Sequence, residues 1–156
     1  MDPELILRWL HVIGACVLLG TGAGIAFFMM MAHRSGDTAL IAGTARIVVI
    51  ADMVFTATAV VAQPLTGWLL ARETGWAMTE GWIVASLALY VLTGICWLPV
   101  VRIQISLRNL ASEAACNGTA LPARYHHLYR LWFALGIPAF MAVLAILWLM
   151  VARPDF

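Results

Sequence analysis

The side chains able to do chemistry in this chain are few, and they recur at helical spacing inside apolar sequence. His11 and His33 bracket the first hydrophobic stretch. Asp52 and Gln63 stand in the second, Tyr90 and Trp97 in the third, and His126 and His127 just ahead of the fourth. An imidazole is a metal ligand or a proton carrier near neutral pH. A carboxylate at the centre of a bilayer costs about 2.5–3.5 kcal/mol if left alone. Asp52 must therefore pair with a cation such as an arginine, accept hydrogen bonds, or take up a proton.

Spacing sorts these groups into faces. Asp52, Thr56, Gln63 and Gly67 fall on one side of a helix, with Thr66 beside them. Ser86, Tyr90, Thr93, Trp97 and Gln104 form a second one-sided stripe. Lipid cannot satisfy such stripes, so they are expected to face each other inside a bundle. Asp52, Gln63 and Tyr90 are then the candidates for hydrogen bonding or proton transfer in a reaction. His11 and His33 are 22 positions apart, which brings them to the same face, roughly 33 Å from each other along one helix. That matches the ~30 Å hydrocarbon thickness of a bilayer.

The elements that must position these groups are four apolar spans, at about 5–31, 47–71, 82–101 and 131–151. The third is expected to continue as a helix out of the membrane to about 115. A turn at 33–37 and a short connecting segment at 38–46 join the first two. Gly20 to Gly24 contains a GxxxG pair, a place where a helix or a flat ligand can approach the backbone. Pro64 is expected to kink the second span and free a carbonyl near Val60. Pro99 and Pro138 are expected to bend the third and fourth.

Composition agrees. The chain has 156 residues, of which 63% are hydrophobic and 11% charged, whereas soluble domains carry about 25% charged residues. Lipid is the natural solvent for such a surface, and the fold class is an all-α, integral membrane four-helix bundle in one domain. A net charge of +1 leaves no footprint for nucleic acid. Cys16, Cys96 and Cys116 have no zinc-like spacing and read as small apolar fillers. Four spans put both termini on one side. The first and third connections carry Arg34, Arg46, Arg102, Arg108, Arg124 and Arg130, against Arg8, Arg72 and Arg153 on the terminal side. The positive-inside rule then places both termini outside, in the periplasm for a bacterial inner membrane.

Two functions fit these residues. The first is a b-type haem in an apolar pocket, for which His11 is the axial donor, with Gly22 and Trp97 against the ring. His33 with His126 or His127 is then a candidate for a second haem or metal. The second is a non-enzymatic membrane subunit, assembly factor or proton- or solute-handling protein with no cofactor. A homo-oligomer is compatible with either.

Several motifs carry a resemblance: LRWLHVIG around His11, GTGAG at 20–24, AHRSGD around His33, QPLTG at 63–67, CWLPV at 96–100 and YHHLYRLWFALG at 125–136. Together they closely resemble a bacterial four-span membrane family of unknown function, DUF2269-like, over nearly the whole chain. A weaker similarity is to the HemJ-type protoporphyrinogen oxidases, matched here by His11, His33 and the Val-Ala-Arg153-Pro154 tail. That resemblance implies b-type haem, with His11 as the ligand, and oxidation of a porphyrinogen. The chain departs from it in having no histidine in its third span and no lysine.

Overall fold

A computed structural model describes residues 2–155. Four helices, each long and apolar enough to cross a membrane, account for most of them: α1 at Pro3–Ser35, α2 at Thr38–Thr74, α3 at Gly81–Asn117 and α4 at Ala123–Ala152. Even the shortest has 30 residues, about 45 Å of helix against a hydrocarbon layer of about 30 Å. The protein is therefore a multi-pass integral membrane protein.

Local chemistry sets the helix ends. Asp2 accepts a hydrogen bond from the Glu4 N–H, with Pro3 at the first helical position. Asp37 caps α2 by accepting from the N–H groups of Ala39 at 2.8 Å and Leu40 at 3.2 Å. Gly36, at φ 71°, stops α1 in the left-handed conformation that a side chain would resist. The α1–α2 connection is thus only Gly36 and Asp37.

The segment 38–46, expected as a connection, is instead the first turns of α2. Gly43 and Arg46 interrupt its apolar run, but the Asp37 cap starts the helix early. Ile41, Ala42 and Ala45 are buried in the core that follows. That core lies at the end of the bundle away from the termini. Met29 of α1, Ile41 of α2, Leu107 and Ala111 of α3 and Tyr125 of α4 meet there almost fully buried. Trp132, near the start of α4, belongs to this core rather than to a membrane interface.

Towards the terminal end the packing changes. The first part of α2, Thr38–Ala51, packs against both α1 and α3, whereas its last part, Ala57–Thr74, packs on α1. The pair α1/α2 and the pair α3/α4 therefore part above the core. At the terminal end, the Arg153 guanidinium lies 5.6 Å from the ring of Trp76 and 5.8 Å from that of Trp82, tying the end of α4 to the α2–α3 connection and the start of α3.

Candidate functional site

The space between the two helix pairs is a cavity of about 530 Å³ lined by all four helices. That is within the range of about 300–1,000 Å³ usual for small-molecule sites. Its lining is overwhelmingly apolar, with one polar wall. Asp52, Thr56 and Gln63 come from α2, and Tyr90, Thr93, Trp97 and Gln104 from α3. The two stripes legible in the sequence thus meet across one space, with Gly22 of α1 also on its wall. Ser86, Thr66 and Gly67 are the exceptions. Ser86 is buried and bonds to the Trp82 carbonyl of its own helix, while Thr66 and Gly67 lie against His11.

The opposite wall belongs to α1 and α4. Phe27, Ile137 and Met141 line the cavity yet remain 54%, 60% and 57% exposed. Side chains that face both a cavity and the outside mark its mouth. The cavity therefore opens sideways between α1 and α4, at a depth where the surroundings are lipid.

Asp52 is 3% exposed. It begins a single π-helical turn, Asp52–Thr56, inside α2. Such a turn adds a residue to the ring and locally re-aims side chains. Nothing in the apolar pattern announces it. The Trp97 indole N–H donates to Oδ1 of Asp52 at 3.3 Å. With its amide oriented to suit both neighbours, Gln104 donates to Oδ2 at 3.0 Å and accepts from the Trp132 indole at 3.3 Å. The carboxylate is thus held by neutral donors, and the expected alternative of an arginine partner does not occur. The one ion pair among the described residues joins Arg8 to Glu4 near the start of α1. Thr56 Oγ1, buried on the same wall, reaches only this carboxylate.

Pro64 lies inside α2 and has no N–H, so the Val60 carbonyl four residues earlier loses its helical donor. The Tyr90 hydroxyl of α3 donates to that carbonyl. One proline thereby creates the acceptor that ties α2 to α3 beside the cavity. Tyr90→Phe is expected to cost about 1–3 kcal/mol, because it strands a buried carbonyl. In a Pro64→Ala background the restored N–H at position 64 takes over, and the same change should cost clearly less. A double-mutant cycle of unfolding free energies checks this.

His11 sits next to the cavity but not on its lining. Its Nδ1 is 2.9 Å from Thr66 Oγ1. That hydroxyl is itself within 2.8 Å of the Ala62 carbonyl. The hydroxyl proton goes to the carbonyl, so it accepts from His11, which places the imidazole proton on Nδ1 and the lone pair on Nε2. Gln63 Nε2 donates to the His11 carbonyl at 2.8 Å. Two glycines make this seam possible. A side chain at Gly67 would begin 3.0 Å from the His11 ring, and one at Gly14 would collide with the Gln63 amide.

His33 and His126 meet at the far end, with ring centroids 5.6 Å apart. His33 is stacked on Tyr129 at 3.8 Å, with Tyr125 at 5.8 Å. Among the described residues, no group of three or more His, Cys, Asp or Glu side chains is placed to hold a metal ion. His33, His126 and His127 therefore do not converge on one centre together with a carboxylate or thiol. His33 is engaged with aromatic rings instead.

The cavity lining contains no histidine, so its residues do not fit a haem held there by a histidine. Asp52, Gln63, Tyr90, Gly22 and Trp97, all expected from the sequence as candidate site residues, share the cavity. The π turn, the Gln104–Trp132 link and the sideways mouth left no mark in the apolar pattern. The glycines and the Gln104 stripe position were the only available signals.

Comparison with known proteins adds the family. No curated protein and no solved structure matches the chain significantly. A family model described as a predicted integral membrane protein, DUF2269, matches residues 5–154. The match covers nearly the whole chain, and the chain belongs to the DUF2269 family of integral membrane proteins.

Proposed function

We propose that the protein is a membrane-embedded binding protein whose cavity takes up a lipophilic molecule from the bilayer. Asp52, Gln63 and Tyr90 meet that molecule's polar edge, and Trp97 and Gly22 its apolar body. The observation that carries this reading is the cavity of about 530 Å³ with its mouth between α1 and α4. The arginine bias supports a bacterial inner-membrane location with both termini in the periplasm. Trp97 and Trp132 on the cavity wall supply the readout. A neutral brominated aromatic added to protein in lipid nanodiscs should quench part of the tryptophan fluorescence saturably. That component should disappear in the Trp97→Phe/Trp132→Phe variant. Quenching that rises linearly, as simple partition into lipid does, overturns the proposal.

A second reading keeps haem b on His11, at the edge of the bundle beside the cavity. What favours it is the Nδ1–Thr66 bond, since a ligating histidine commonly anchors its other ring nitrogen. Haem so held predicts a Soret band in the purified protein that is lost in His11→Ala. A colourless preparation from haem-replete cells rules this reading out and leaves the first untouched.

A further inference from the structure

The polar wall of the cavity is short of positive charge. Asp52 is 97% buried, by its 3% exposure, and both of its oxygens accept from neutral N–H groups. An ionised carboxylate offers about four acceptor positions, so with Thr56 also beside it about one remains. No arginine or histidine forms an ion pair with it among the described residues. An unpaired charge in a low-dielectric site is costly until a counter-charge arrives or a proton is taken up. The rest of the wall suits such an arrival. Thr56 Oγ1 reaches only the neighbouring Asp52 carboxylate, and the Tyr90 hydroxyl has spent its proton on Val60. Aromatic rings from three helices, Phe27, Trp97, Trp132 and Phe140 among them, border the same space. Their faces attract cations.

We infer that the ligand class is a lipophilic organic cation, which enters from the lipid between α1 and α4 and becomes the counter-ion of Asp52. The inference rests on the cavity reading and adds the sign of the charge. Shape alone would admit any lipophile of similar size. The carboxylate selects among them, accepting a cation and rejecting an anion of the same form.

The test uses two ions of near-identical shape, tetraphenylphosphonium and tetraphenylborate. Each is dialysed to equilibrium against the full-length protein in zwitterionic nanodiscs, with empty nanodiscs subtracted. Tetraphenylphosphonium should bind saturably, one per chain, and tetraphenylborate should show no saturable component. Asp52→Asn should weaken tetraphenylphosphonium binding roughly tenfold or more, and Asp52→Glu should keep most of it. Gly136→Leu, which leaves Asp52 intact, should abolish it. Equal saturable binding of both ions overturns the inference, as does unchanged affinity in a folded Asp52→Asn. If neither ion binds while the neutral brominated aromatic still quenches saturably, the charge inference fails and the cavity reading stands. If no probe binds, both fail.

Discussion

Gly136→Leu is expected to abolish ligand binding while leaving the bundle at least as stable as the parent. Gly22, Gly94 and Gly136 line the cavity from three different helices, and a Cβ built on any of them meets nothing within 4 Å. A leucine at position 136 therefore grows into empty space rather than into a neighbour. Replacing a mid-helix glycine by a good helix former gains up to about 1 kcal/mol. Apolar atoms occupying the cavity exclude the ligand by volume, so no saturable binding should remain. Saturable tryptophan quenching measures the affinity, and thermal unfolding measures the stability. Gly94→Leu should behave in the same way from the opposite wall. Undiminished binding in both variants would place the ligand elsewhere.

Gly14→Leu is expected to have the opposite effect, a loss of stability of about 1–3 kcal/mol from overpacking. Its side chain meets the Gln63 amide that donates to the His11 carbonyl, so the seam between α1 and α2 must open. Gly20→Leu is the control, because it lies on the same helix and its Cβ has nothing within 4 Å. The two substitutions are chemically identical and close in sequence, so helix propensity cannot explain a difference between them. A Gln63→Ala partner should recover part of the Gly14→Leu loss by removing the obstructed amide. Equal stability of Gly14→Leu and Gly20→Leu would contradict the close packing of α1 on α2.

Much of this was legible in the sequence because a bilayer leaves so few options. Apolar length fixes the spans, and Asp52, Gln63, Tyr90 and Trp97 had nowhere to go but inward. Pro64 could be read as freeing a carbonyl near Val60, since a missing N–H has one defined consequence. The tyrosine that satisfies that carbonyl could not be read, because the pairing depends on how α2 and α3 are rotated against each other. The connecting segment expected at 38–46 failed for a related reason. Periodic hydropathy weakens at Gly43 and Arg46, yet a two-residue turn with an aspartate cap is enough to start a helix there. Histidines carry the least information. His11 and His33 share a helical face, but one is anchored to Thr66 and the other is stacked on Tyr129. Whether a ring nitrogen meets a hydroxyl, an aromatic face or a ligand is decided by the neighbouring helix, not by the histidine's own spacing.

Native mass spectrometry of protein released from its own membranes tests the central claim most directly. Bound lipids and other apolar molecules survive as mass adducts when the detergent is stripped gently. The parent protein should carry one lipophilic adduct per chain that the Gly94→Leu/Gly136→Leu variant lacks, with both proteins equally folded. Identical adduct patterns in the two proteins, or a bare chain in both, would contradict a ligand-binding cavity that opens between α1 and α4.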